Sequence, residues 1–210
     1  MFKTLAEHWD GSSWSVTRTP DPGRSGDHLY AVDAVSPDDV WAVGQKLGSR
    51  VPDQGLVEHW NGRRWQVVPL PASPANVLLD GVTVADGQVW AVGEADTPDG
   101  GLPLIEHYSG GRWTAASLPA VPHGSNWANL YGVAVAGGSA WAVGTYVDPV
   151  TDNNSVLLLR GRGDTWTLAT APNPGSGSNL PGGLTAVGGQ LWMGGIYDNG
   201  GSELPLIEHR

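Results

Sequence analysis

Trp41-Ala42-Val43-Gly44 recurs as Trp90-Ala91-Val92-Gly93 and Trp141-Ala142-Val143-Gly144, and once more as Trp192-Met193-Gly194-Gly195. The tryptophans stand 49, 51 and 51 residues apart. A second motif alternates with the first: an apolar pair, Glu-His, a turn and a Trp. It reads Leu5-Ala6-Glu7-His8-Trp9-Asp10-Gly11-Ser12-Ser13-Trp14, then recurs over 56–65 and 104–113. A degenerate copy over 156–166 carries Leu159-Arg160 in place of Glu-His, and Leu206-Ile207-Glu208-His209 is a truncated copy. Two interleaved motifs on one period identify an internal repeat.

Each unit reads as four short strands, A to D. Strand A is expected over 29–35, 79–84, 130–135 and 184–187. A tight turn follows at Ser36-Pro37-Asp38-Asp39, Asp86-Gly87, Gly137-Gly138 and Gly188-Gly189. Strand B carries Trp-Ala-Val-Gly and strand C carries Glu-His. Asp10-Gly11, Asn61-Gly62 and Ser109-Gly110 turn the chain into strand D, because Asn, Asp and Gly tolerate the positive φ of a hairpin turn. Strand D carries a Trp and ends near Pro20, Pro69, Pro119 or Pro172, since proline cannot donate to a ladder. Four antiparallel strands per unit, repeated, predict an all-β fold: a β-propeller of four-stranded antiparallel blades. The chain, 1–210, is read as one propeller domain. Its units are a partial C–D piece over 1–20, whole units over 21–71, 72–120 and 121–173, and a partial A–B–C piece over 174–210. This offset predicts four blades closed by pairing of the N- and C-terminal strands. Five C-like segments compete for four places, so an eight-blade ring of two chains is the alternative to a monomer.

The composition agrees. Glycine (31) and proline (16) are abundant, as many short strands joined by turns require. Eleven Trp against one Phe point to one aromatic position copied many times, filling the spaces between blades. A net charge of −10 disfavours nucleic acid and anionic membranes. The absence of cysteine excludes disulfides and thiolate metal sites. No apolar stretch is long enough to span a bilayer as a helix, and the opening residues do not read as a signal peptide.

Asp39-Val40-Trp41-Ala42-Val43-Gly44 and Leu56-Val57-Glu58-His59-Trp60-Asn61-Gly62 resemble the units of bacterial, actinobacterial-type tandem-repeat proteins. The resemblance extends over the whole chain. It implies a kelch-like or galactose-oxidase-like propeller and an extracellular location. Neither the sialidase Asp-box nor the kelch order of Gly pair, Tyr and Trp is kept, so neither activity is carried over.

The A–B and C–D turns are tight and share one face. The B–C and D–A loops are long, varied and share the other, where ligand contacts are expected. That face carries Asp53, Glu94, Asp96, Asp99, Asp148, Asp152, Asp198 and Glu203, with the aromatics Trp127, Tyr146 and Tyr197. The candidate ligand-binding residues are Trp127, Tyr146, Tyr197, Asp96, Asp148 and Asp198. Carboxylates beside aromatic rings suit a sugar, a cationic peptide or a weak Ca²⁺ site; solvated loop charges are the plainer account. The Glu-His pairs are expected to be structural, because adjacent strand residues point to opposite faces. No metal, cofactor or catalytic residue is expected. The reading is a non-catalytic binding or scaffold module with a carbohydrate or protein partner. A glycoside-cleaving enzyme using loop-face carboxylates and a purely structural repeat are the alternatives.

Overall fold

A computed structural model describes residues 2–73, 75–98 and 100–209. It is all-β, with no α-helix among the described residues. A hairpin of β1 (Ala6–Trp9) and β2 (Trp14–Thr17) comes first. Three complete four-stranded sheets follow. The first holds β3 (Gly26–Ser36), β4 (Asp39–Leu47), β5 (Gln54–Trp60) and β6 (Trp65–Val67). The second holds β7 (Asn76–Ala85), β8 (Gln88–Thr97), β9 (Gly100–Ser109) and β10 (Arg112–Ala115). The third holds β11 (Ala128–Ala136), β12 (Ser139–Val147), β13 (Asn154–Arg162) and β14 (Thr165–Ala169). A C-terminal sheet of β15 (Asn179–Val187), β16 (Gln190–Asp198) and β17 (Glu203–His209) lacks a fourth strand. Every pairing between these strands is antiparallel and between sequence neighbours.

The repeat is kept at the level of register. Trp41 pairs with His59, Trp90 with His107, Trp141 with Arg160 and Trp192 with His209. Glu7 opposite Val16, Glu58 opposite Val67 and Glu106 opposite Ala115 continue the pattern into strand D. The N-terminal hairpin is thus a C–D pair in register with the others.

Every A strand bulges at a matching place, skipping Tyr30, Asp80, Tyr131 and Gly182 in the pairing with strand B, and β3 shifts register a second time at Val35. This explains the last residue of Trp-Ala-Val-Gly. A Cβ on Gly93 would overlap the carbonyl oxygen of Leu78, just before the bulge. Gly44 and Gly144 face His28 and Asn129 in the same way. The A strands of adjacent complete sheets run against one another. At the bulge the approach is close: a Cβ on Gly81 would lie 2.8 Å from the carbonyl oxygen of Tyr131.

Alternation along the strands divides the core between sheets. Trp41, Val43 and Val57 of the first sheet pack on Leu79, Ala91 and Trp113 of the second. Trp90, Val92 and Ile105 pack on Leu130, Leu159 and Trp166 of the third. Trp141, Val143 and Leu158 meet Leu191, Met193 and Leu206 of the C-terminal sheet. Strand-B tryptophans therefore face the following sheet, and Trp113 and Trp166 face back to the preceding one. A single sheet could bury neither face alone.

Pairing of the terminal strands is not found among the described residues: β1 and β2 form their own two-stranded sheet, and β17 ends a three-stranded one. The physical reason is local. The Asp10-Gly11 turn brings β2 back onto β1 at small loop-closure cost, which takes the edge that β17 would need. The hairpin instead lies beside the first sheet, with the Trp65 indole donating to Thr17 Oγ1 at 3.2 Å.

Candidate functional site

Four of these bulges fall at one equivalent position in the A strands. A bulge re-aims a side chain out of the ladder, so Tyr30, Asp80 and Tyr131 are presented at the innermost strands rather than packed between sheets. Each is at least partly exposed. Tyr30 Oη lies 2.9 Å from His28 Nδ1. Tyr131 Oη lies 3.1 Å from Thr145 Oγ1, which donates onward to Asn129 Oδ1 at 3.0 Å. The residue after each motif glycine joins them at this level: Gln45, Glu94 and Thr145.

Carboxyl groups gather at the second sheet. Burial raises the Asp80 carboxyl above the usual range. Glu94 is raised by burial first, then by the charges of Asp80 and Asp96. Burial and then Asp80 also raise the Tyr30 phenol. Glu94 Oε2 is buried with no hydrogen-bond partner. A Cβ built on Gly101 would sit 3.5 Å from that oxygen and 3.5 Å from the Trp127 ring. Glu94 and the Trp127 indole thus both lie in van der Waals reach of a Cβ position on the same strand. Trp127 is 45% exposed. Its backbone is tied down, for its carbonyl accepts from Val147 N at 3.0 Å and from Ser125 Oγ at 2.9 Å.

Of the six expected contact residues, Trp127 and Asp96 come together here, around Glu94. The other four are placed differently. Tyr146, expected at the exposed face, is 8% exposed and belongs to the core between the second and third sheets. Tyr197 is half-buried against the core of the C-terminal interface. Asp148 accepts from Val150 N and Thr151 N and pairs with His123 at 3.1 Å. The Val150 and Thr151 backbone bonds hold its carboxyl below the usual range. Asp198 accepts from Gly201 N at 2.8 Å. Both aspartates fold their own loops. Asp53 likewise accepts from Gly48 N at 2.8 Å. Asp99 lies outside the described residues. Tyr30, Asp80 and Tyr131 were legible only as an irregular position: each precedes a small residue, Ala31, Gly81 or Gly132, and they stand 11, 10 and 10 residues before the Trp of Trp-Ala-Val-Gly.

The Glu-His pairs divide as strand alternation requires. His59 stacks on Trp41 at 4.3 Å and meets Asp39 Oδ1 at 2.8 Å. His107 stacks on Trp90 and spans Gln88 and Asp164 of the third sheet, at 2.9 and 2.7 Å. Their neighbours Glu58 and Glu106 point the other way and are buried. Burial, then Asp27 and Asp21, push Glu58 up to about 8. Burial pushes Glu106 up to about 7. Among the described residues no three His, Asp or Glu gather as metal ligands.

No protein-family model and no curated protein matches the sequence. Among solved structures the chain is similar to YjhT, with a TM-score of 0.52 and 13% identity, covering 88% of this chain and 63% of that one. It is also similar to a Bombyx mori GH32 beta-fructofuranosidase, with a TM-score of 0.52 and 13% identity over 79% of this chain and 40% of the enzyme. A mutant of that enzyme in complex with sucrose gives 0.51 and 13%, over 81% and 42%. The chain spans less than two thirds of each. The likeness is one of fold, to proteins of β-propeller type.

Proposed function

We propose that this chain is a carbohydrate-binding β-propeller module whose ligand sits where the A-strand bulges meet the long loops. The observation that carries the proposal is Trp127: a half-exposed indole, on a hydrogen-bonded backbone, beside Glu94, with the Asp80 and Asp96 charges reaching the same carboxyl. An indole face receives the C–H face of a pyranose or furanose ring, and carboxylates accept from its hydroxyls. Support from outside the chain is limited to a fold shared with an enzyme that is seen with sucrose.

Glycoside cleavage is the second reading, and one observation favours it. Asp80 and Glu94 are both raised by burial, and Glu94 is raised further by Asp80. Two carboxyl groups whose charges act on one another, both raised, are the kind of pair that acid–base cleavage of a glycoside uses.

Calorimetric titration with a panel of neutral oligosaccharides, sucrose included, tests both. Wild-type protein should bind at least one, and Trp127→Ala should weaken it about tenfold or more. No binding across the panel, or equal binding by Trp127→Ala, overturns the proposal. Chromatography of the same mixtures separates the two readings. Release of smaller sugars by the wild type, lost in Glu94→Gln while binding persists, establishes cleavage.

A further inference from the structure

A cleft of about 670 Å³ separates the N-terminal hairpin from the outer strand of the first complete sheet. Arg18, Arg63 and Arg64 line it, together with Trp60 and Trp65. All three arginines are exposed, and none forms an ion pair among the described residues. Asp21, the acidic group of the cleft, is occupied by Lys3 at 3.3 Å. The protein carries a net charge of −10, so three unneutralised guanidinium groups in one cleft run against its average. The two indoles lie 6.0 Å apart. Their N–H groups are committed, Trp60 to the Pro37 carbonyl at 3.1 Å and Trp65 to Thr17 at 3.2 Å. Their ring faces are what remain for an apolar contact.

The repeat shows that the fold does not require these arginines. The position of Arg18, four residues after the strand-D tryptophan, is Pro69, Ser117 and Thr170 in the complete sheets. The pair Arg63-Arg64, just before that tryptophan, is Ser12-Ser13 in the hairpin, Gly111-Arg112 in the second sheet and Asp164-Thr165 in the third. At these three positions the pairing of the first and second sheets therefore has one arginine, and that of the second and third has none. Arg18 and Arg63 have no arginine counterpart in the other units, and Arg64 shares its position with Arg112 alone; two of the three, brought together from two separate hairpins, are therefore hard to ascribe to strand pairing.

We infer that this cleft binds a small acidic saccharide, a uronate-bearing oligosaccharide, at a site distinct from the bulge mouth. Guanidinium forks pair with a carboxylate through two parallel N–H bonds, which an ammonium cannot do. A sugar ring carrying that carboxylate lays its C–H face on Trp60 or Trp65. The volume lies within the range of about 300–1,000 Å³ found for small-ligand sites. The overall acidity selects a short ligand with few charges, because a long polyanion would extend beyond the cleft over a repelling surface.

Calorimetry with trigalacturonate, a neutral galactose trisaccharide, triglutamate and inorganic phosphate tests the assignment on the full chain. Trigalacturonate should bind best of the four and more weakly at higher salt. Arg63→Ser with Arg64→Ser, the residues of the hairpin turn, should weaken it about tenfold or more. Should that variant melt early, Arg18→Thr, the residue of the third sheet, decides with the same readout. Trp127→Ala should leave trigalacturonate binding unchanged, which separates this site from the mouth. No binding of trigalacturonate, equal binding of the neutral trisaccharide, tighter binding of triglutamate or phosphate, or unchanged affinity in the arginine variants overturns the inference.

Discussion

The interface between the second and third complete sheets and the one between the N-terminal hairpin and the first sheet use the same register and fill it differently. In the former, Leu159 and Trp166 reach back into a closed apolar cluster with Trp90, Val92 and Ile105. His107 and Asp164 clip its rim. In the latter, Glu58 takes the place of Leu159, and Arg63 takes the place of Asp164. Trp65, the counterpart of Trp166, is only half-buried there and donates to Thr17 Oγ1 at 3.2 Å. A C–D hairpin has no A and B strands to present an apolar face, so the same motif that builds a core elsewhere has nothing to pack against. Identical strand pairing therefore does not guarantee identical energetics, because in these sheets stability comes from what the neighbouring sheet offers.

Five substitutions probe that contrast. The largest effect belongs to the tryptophans. Trp166→Ala should lose about 3–5 kcal/mol of stability, whereas Trp65→Ala, which faces the hairpin from the corresponding position of the first sheet, should lose about 1–2 kcal/mol. Urea unfolding measures both, and similar losses would show that the hairpin interface is as closed as the inner one.

Next comes Glu58. Its folded carboxyl is pushed up to about 8 from an ordinary 4.5. A raised value means that the folded state holds a proton the unfolded chain has released. Stability is therefore full below about pH 4.5 and is lost as pH rises towards 8. Glu58→Leu, the residue that the third sheet carries as Leu159, should remove most of that slope and gain on the order of 3 kcal/mol at pH 8. Urea midpoints at pH 5 and pH 8 check it, and an unchanged slope would place the pH response elsewhere. Glu106 gives a smaller version of the same response, since it rises only to about 7.

The smallest effect is at the rim. Asp164→Ala breaks the contacts to His107 and Thr114 and should cost about 1 kcal/mol. Arg63→Asp, which imports the third-sheet residue into the hairpin interface, tests whether His8 can form the same clip. A gain in stability there would sharpen the comparison, and a loss would show that the hairpin stands too far off.

Much of the fold was legible because its signals are local. Trp-Ala-Val-Gly marked every B strand, Asp10-Gly11 and Asn61-Gly62 marked hairpins, and strand alternation separated each Glu from its His. The bulge was not legible, since a one-residue insertion leaves no composition signal, although the motif glycine is its imprint on the partner strand. The site was legible only in part. Trp127 and Asp96 read as loop-face residues, but Tyr146, an aromatic that also reads as loop-face, is core, because the second sheet covers it. Asp148 and Asp198 read as surface charge, yet backbone N–H groups of their own turns engage them. The arginine cleft left no mark in the sequence, for its members come from residues 18 and 63–64, which belong to different units.

What the sequence by itself determined is the unit: four antiparallel strands, their register, and the tryptophans that need a neighbouring sheet. Those follow from turn chemistry and side-chain alternation within a single stretch of about fifty residues. Tertiary structure alone decided which face each sheet finds covered, that the terminal strands keep their own partners, and which charges meet at the bulges and in the cleft. Those outcomes depend on contacts between separate units, and the energy of such a contact belongs to the pair of surfaces rather than to either sequence.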